Sequence, residues 1–178
     1  MSKCERCGKD ATIHMKSESG TTEILCTDCY NKTIAELTDA ELPSHIPKTI
    51  YFEDCAREAH MFHIEFMLFP HCKTLKAYEN YNDGYVCEVY GGLDDSFSVM
   101  WEKLIGKLSK MLSVKYIDGN SWTNDKVAGY VNYDCETESH YVVIDGNRYE
   151  WSELGKQLGT YEGFQIKIEF ADLGDDLL

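Results

Sequence analysis

The sequence predicts an α+β protein in which a small N-terminal ribbon of short strands precedes an antiparallel sheet with one long and one or two short helices. Three observations indicate this fold. Two Cys-x2-Cys pairs lie near the N-terminus, several later segments alternate apolar and polar residues, and residues 96–112 repeat apolar side chains at three- and four-residue steps. Strands before and after a long helix are typical of helices packed on one face of an antiparallel sheet.

The first element is a ribbon organised by two cysteine pairs. Eighteen residues separate the pairs, within the range of about 15–20 that is typical of paired zinc knuckles. Two residues between cysteines let both sulfurs face one ion, and two such pairs supply four thiolates in a tetrahedron. An all-cysteine site leaves no position for water and is therefore structural. The predicted ligands of one zinc ion are Cys4, Cys7, Cys26 and Cys29.

The residues between the cysteine pairs fit a short hairpin. Alternation predicts strands at residues 11–15 and 22–25, with a turn at 17–20. Gly8 follows the first pair, where a tight turn often requires a positive φ. His14 has two interpretations, an outer hydrogen-bond donor to a thiolate or a half-exposed strand residue, and we favour the second.

This stretch resembles the N-terminal zinc ribbon of McsA, the bacterial activator of a protein-arginine kinase, and the related ribbon that opens ClpE-type chaperone ATPases. The resemblance rests on Cys-Glu-Arg-Cys at 4–7, Ala-Thr-Ile-His at 11–14, Gly20 and Leu-Cys-Thr-Asp-Cys at 25–29. It implies a regulatory or protein-binding module, and only the four metal ligands are carried over from it.

The rest of the chain divides at a proline-containing stretch. A helix is expected at residues 30–37, and two of the three prolines follow within residues 42–48, which are predicted to be a linker because proline disfavours helix at and before its position. The predicted organisation is a ribbon plus helix at 1–41, the linker at 42–48, an α+β domain at 49–171 and a mobile acidic tail at 172–178.

The α+β domain is predicted to open with an antiparallel meander. Strands are expected at 49–52, 60–69, 75–78 and 85–90, with Asn-Asp-Gly at 82–84 as a turn. In the second strand the apolar residues at even positions from 62 to 68 share one face. The long helix follows at 96–112, capped by Asp95 or Ser96.

The C-terminal third is predicted to contain two hairpins, a short helix and a last strand. Asp-Gly-Asn turns at 118–120 and 145–147 indicate the hairpins. The helix is expected at 151–158. The last strand is expected at 163–170, because its apolar residues fall at alternate positions. These apolar residues are Phe164, Ile166, Ile168 and Phe170.

Charge and hydropathy exclude several classes of function. Seventeen basic residues against 31 acidic ones give a net charge of −14, which argues against binding to nucleic acid or to an anionic membrane. No apolar run approaches the about 20 residues of a membrane span, and the first residues lack the apolar core of a secretory signal. We therefore expect a soluble cytoplasmic protein.

The search for catalytic chemistry yields only weak candidates. Cys55 is the best nucleophile candidate because Arg57 and His60 follow it, but three acidic neighbours would raise its pKa. His60 and His63 would point to opposite faces of a strand and so could not bind one ion. A second site remains open within a loose group, His60, His63, His71, Cys72 and Cys87.

The sequence therefore favours a zinc-binding regulatory or adaptor protein that acts by protein–protein interaction. The first alternative is an acidic inhibitor or immunity protein that masks a basic enzyme, because residues 134–178 carry a net charge of −8. The second is a metal- or thiol-dependent enzyme of unknown reaction. The hypothesis of an enzyme is the weaker one, since none of the common catalytic motifs is present.

Overall fold

The predicted α+β class is confirmed by the computed structural model, which describes residues 2–16, 20–80, 83–119 and 121–175. Within these ranges the strands form five antiparallel sheets, and three α-helices accompany them. The largest sheet has four strands, and the longest helix packs against it.

The N-terminal part forms two strand pairs and a helix. Strands β1 (Ser2–Lys3) and β2 (Asp10–Ala11) pair on either side of the first cysteine pair, and β3 (Ile13–Lys16) and β4 (Thr22–Leu25) form the predicted hairpin. Residues 17–19 of the predicted turn lie outside the described residues. Helix α1 (Thr27–Thr38) begins three residues before the predicted start and includes the last cysteine of the second pair.

The middle of the chain forms the four-stranded meander that the alternating pattern predicts. Its strands are β5 (Thr49–Glu53), β6 (Ala59–Leu68), β7 (Lys73–Tyr78) and β8 (Val86–Gly91), paired in that order. Even-numbered residues of β6 face inward, and Phe62, Phe66 and Leu68 are buried. This confirms the predicted apolar face of the strand.

Helix α2 (Phe97–Leu112) covers the inward face of this sheet. The Ser96 hydroxyl accepts a hydrogen bond from the backbone N–H of Val99, which confirms one of the two predicted caps. The side chains at three- and four-residue steps are buried against the sheet, as the stripe predicts. The fully buried members are Met100, Leu104, Leu108 and Leu112.

The C-terminal part has its own smaller core around Tyr116, Ile117 and Ile144. Its strands are β9 (Ile117–Asp118), β10 (Ser121–Trp122), β11 (Tyr130–Asp134), β12 (Ser139–Ile144) and β13 (Asn147–Glu150), followed by α3 (Trp151–Gln157). Asp145 and Gly146 both have positive φ, at 50° and 71°, which is the two-residue primed turn that matches the twist of a hairpin. Asn120, in the other predicted turn, lies outside the described residues.

The strand predicted at 163–170 is wrong. The segment is not assigned to any strand, and Phe164, Ile166, Ile168 and Phe170 are 65–82% exposed. Alternation at every second residue predicts which side chains share a face, but a strand also needs a neighbouring edge with which to form hydrogen bonds. Among the strands of the described ranges, none pairs with this segment.

The described part of the predicted tail, residues 172–175, contacts α2 and β8. The ammonium group of Lys107 donates hydrogen bonds to the backbone oxygens of Leu173 and Asp175 at 2.7 and 2.6 Å. The Tyr90 side chain bonds to the Asp172 carboxylate, which raises the pKa of Tyr90 to about 12. Residues 176–178 lie outside the described residues.

Candidate metal centre

The four N-terminal cysteines converge on one point. Their sulfur atoms all lie within 4.8 Å of one another, and those of Cys7 and Cys26 are 3.5 Å apart. Zinc–sulfur bonds of about 2.3 Å in a tetrahedron separate the sulfurs by about 3.8 Å. The cluster is therefore of the size that a single ion bound by four thiolates requires. Its members are Cys4, Cys7, Cys26 and Cys29.

Each cysteine pair is positioned by local backbone geometry. In the first pair, the N–H of Gly8 donates to the carbonyl oxygen of Cys4 at 2.9 Å, and Gly8 has a φ of +75°, as the sequence predicts. In the second pair, Cys26 occupies the N-cap position of α1 in an extended conformation, and Cys29 lies in the first turn. The positive end of the helix dipole favours thiolates at these two positions.

The thiols affect each other's protonation. A hydrogen bond with the backbone of Cys26 is the largest cause that lowers the pKa of Cys4, to about 6. Hydrogen bonding with the Cys7 thiol is the largest cause that raises the pKa of Cys29, to about 12. Four sulfurs at this spacing cannot all be negative without a cation between them, so binding of a metal ion would release protons.

Ion pairs at the surface connect the two knuckles. The Arg6 guanidinium binds both carboxylate oxygens of Glu23 at 2.7 and 2.8 Å and also donates to the Thr33 hydroxyl. Lys9 pairs with Asp28 at 2.6 Å. Exposed pairs of this kind contribute little to stability, but they hold the first knuckle against both β4 and α1. His14, by contrast, is exposed on β3 opposite Ile24.

The loose group that the second alternative invoked is not brought together. The His63 ring lies tilted beside the Tyr78 ring, with centroids 5.6 Å apart, and Cys87 is buried in β8. In the described parts of the chain, only one further group of metal-ligating side chains has its ligand atoms within 4.8 Å of one another. It consists of Asp54, Glu58 and His60, so His60 is the one member of the loose group that reaches a cluster.

The grouping of Asp54 and Glu58 with His60 was not predicted from the sequence. Both acidic residues were expected only as neighbours of Cys55, which is an exposed thiol. The signal that could have identified them is the spacing Asp-x3-Glu-x-His in residues 54–60, which span the short loop between the antiparallel strands β5 and β6.

The fold and the cysteine cluster define an α+β protein with a candidate metal centre in its N-terminal ribbon. None of the described helices combines the length and apolar character that a membrane span requires.

Three family models match successive parts of the chain, each described as a domain of unknown function: DUF7685 at residues 3–41, DUF7686 at 44–113 and DUF7713 at 115–175. These ranges correspond to the ribbon with α1, the four-stranded sheet with α2, and the C-terminal strands with α3. No curated protein and no solved structure matches the chain.

Proposed function

We propose that this chain is a zinc-binding regulatory or adaptor protein that acts by binding another protein. The observation that carries the proposal is the segment at 164–170, which belongs to no helix or strand and is hereafter called the apolar segment. Its four large apolar side chains are 65–82% exposed at alternate positions. A contiguous apolar surface of this kind is unfavourable in water and typically marks an interaction site.

The cysteine cluster supports the zinc-dependent part of the proposal. Four thiolates form a soft ligand set that selects zinc over hard cations, and a closed site favours a structural role over a catalytic one. The resemblance of the ribbon to those of McsA and ClpE-type ATPases supports a regulatory module. In this proposal the ion organises the ribbon, and the protein acts through its surfaces.

The chemistry of the partner follows from the shape and charge of the apolar segment. A segment with alternating apolar side chains is suited to adding a strand to a free sheet edge of another protein, where backbone hydrogen bonds provide affinity and pockets for alternate side chains provide specificity. Residues 134–178 carry a net charge of −8. The proposed partner is therefore a basic protein with an unpaired strand edge.

A capture experiment with paired variants tests this proposal. The tagged, zinc-loaded full chain is incubated with lysate of its own host, beside Ile166→Asp and Gln165→Asp. Both substitutions add one negative charge to the same segment, but only the first removes an apolar side chain. We expect one protein to be retained by the wild type and by Gln165→Asp and to be lost with Ile166→Asp. Equal retention by both variants would contradict a role for the apolar segment.

The same experiment with Cys26→Ser, Cys29→Ser tests the dependence on metal. Loss of the same partner would support the ribbon as part of the docking surface. Unchanged capture would mean that the ribbon only stabilises the fold.

The acidic inhibitor is the second candidate, and the charge of residues 134–178 is what favours it. The salt dependence of partner binding distinguishes the inhibitor from the adaptor. Between about 0.1 M and about 1 M salt the Debye length falls from about 10 Å to about 3 Å, so binding driven by an acidic face would weaken steeply. Binding carried mainly by the apolar segment would weaken much less over the same range, because salt screens the attraction to a basic partner but not the burial of apolar side chains.

A further inference from the structure

A second cluster of potential ligands lies at the loop between β5 and β6, far along the chain from the four N-terminal cysteines. Asp54, Glu58 and His60 each direct one ligand atom to within 4.8 Å of the others. The Asp54 Oδ1 atom accepts hydrogen bonds from the backbone N–H groups of Ala56 and Glu58 at 2.9 and 2.8 Å. These bonds fix the loop and leave the second carboxylate oxygen, Oδ2, free to face His60.

Glu79 contacts the imidazole of His60 on the side of the ring that faces away from Asp54. The Nδ1 atom lies 2.7 Å from the Glu79 Oε1 atom, and the Glu79 Oε2 atom accepts a hydrogen bond from the backbone N–H of Tyr85 at 2.8 Å. A carboxylate can only accept, so Nδ1 carries the proton in this contact. When the ring carries only this proton, the lone pair of Nε2 faces the loop.

The Nε2 atom of His60 is unsatisfied. It is buried, it has no hydrogen-bond partner among the described residues, and it lies 3.6 Å from the Asp54 Oδ2 atom. That distance is too long for a hydrogen bond. Buried polar atoms of this kind are uncommon, and a bound ion is one of the recognised reasons for them. A nitrogen lone pair and carboxylate oxygens repel each other, and a cation between them would remove this repulsion.

We propose that Asp54, Glu58 and His60 bind a divalent transition-metal ion, with Glu79 as the residue that positions His60. A histidine that binds a metal through one nitrogen almost always donates its other N–H to a carboxylate or carbonyl oxygen, which is the arrangement of His60 and Glu79. One imidazole and two carboxylates suit ions such as Mn²⁺, Fe²⁺ or Zn²⁺. Three protein ligands leave coordination positions open to water or to a small ligand.

The surroundings fit a bound ion that can exchange with solvent. Glu58 is exposed, whereas Asp54 and His60 are partly buried, so the site has one open side. The Tyr85 ring stands edge-on to His60 at 5.3 Å and forms an inner wall. Because this ligand set is hard and the cysteine set is soft, the two sites would prefer different metals.

Titration with Mn²⁺ tests the proposal on the full chain with zinc already in the cysteine cluster. Mn²⁺ prefers nitrogen and oxygen ligands, and the electron paramagnetic resonance signal of the free ion reports how much is bound. We expect the wild type to bind one Mn²⁺ per chain. Glu79→Gln should weaken the affinity by about 10–100-fold, and Glu58→Gln should weaken it at least as much.

Glu53→Gln is the matched control, because Glu53 is an exposed glutamate one residue before Asp54 and lies outside the cluster. It should bind Mn²⁺ as the wild type does. Circular dichroism of all variants establishes that they are folded. The proposal is overturned if the folded wild type binds no Mn²⁺ at about 1 mM, or if Glu58→Gln and Glu53→Gln bind it equally.

Discussion

The side-chain amide of Asn31 donates a hydrogen bond to the backbone carbonyl oxygen of Phe66 at 3.0 Å. The Asn31 Oδ1 atom accepts a second bond, from the backbone N–H of Leu68 at 2.9 Å. Both partners lie on the part of β6 that β5 does not reach, since β5 pairs only with residues 59–63. Asn31 thus satisfies two backbone groups on a free strand edge and joins α1, which contains Cys29, to the main core.

Asn31→Ala should be clearly destabilising. The change leaves one buried carbonyl oxygen and one buried N–H without partners, and each such group costs about 1–3 kcal/mol. Urea unfolding would measure the loss in the free energy of unfolding. Lys32→Ala is the control, because Lys32 is exposed on the same helix, and it should change stability by no more than about 0.5 kcal/mol. Equal effects of the two substitutions would show that the Asn31 contact contributes nothing.

Removal of the metal should loosen the edge that Asn31 covers. A structural zinc ion in such a cluster would contribute on the order of 10 kcal/mol to the folding of a small ribbon, and the candidate ligand Cys29 lies in the same helix as Asn31. A strong chelator should therefore accelerate hydrogen exchange at the amide of Leu68. The amide of Leu75, in the sheet interior, should be little affected. Unchanged exchange at Leu68 would mean that α1 stays docked without the ion.

Two glycine substitutions should have opposite effects on stability. A Cβ at Gly129 would overlap the carbonyl oxygen of Val143 and approach Ile144, so Gly129→Ala should destabilise the protein by about 1–3 kcal/mol. Gly155 lies in α3 with open space around it, so Gly155→Ala should stabilise by up to about 1 kcal/mol. Thermal unfolding of both variants measures the difference. A neutral Gly129→Ala would show that β11 and β12 separate easily.

Asp134 should contribute to stability in a pH-dependent manner. A backbone hydrogen bond from Glu136, together with the Arg148 guanidinium at 2.9 Å, lowers the pKa of Asp134 from 3.8 to about 2. A lowered pKa means that the stabilisation is fully present above 3.8 and is lost as the pH falls towards 2. The difference in Tm between the wild type and Asp134→Asn should therefore shrink over that range. A constant difference would show that the charge of Asp134 does not contribute to stability.

Much of the fold and of the first site was predictable because the signals are local. The cysteine spacing indicates a shared ion, since two intervening residues suffice to aim both sulfurs at one point. The period of β6 and the stripe of α2 follow from the geometry of a strand and a helix. The turn at Asp145 and Gly146 follows from the tolerance of these residues for positive φ.

The strand predicted at 163–170 was wrong because a local pattern does not specify which strand will pair with the segment. Alternation is a property of the segment, whereas pairing is a property of the segment and its neighbour together. The apolar side chains are present at the expected positions, and Phe164 and Ile168 face the same way in an extended chain, but no strand edge of the described residues meets them.

By itself, the amino-acid sequence determined the α+β class, the two Cys-x2-Cys pairs, the long helix and the turn at Asp145 and Gly146, because each of these features depends on residues only a few positions apart. Tertiary structure alone decided that Asn31 meets β6, that the apolar segment stays exposed and that Glu79 reaches His60. Contacts of that kind join residues about 20 to 40 positions apart, and they exist only after the strands have paired and the helices have docked.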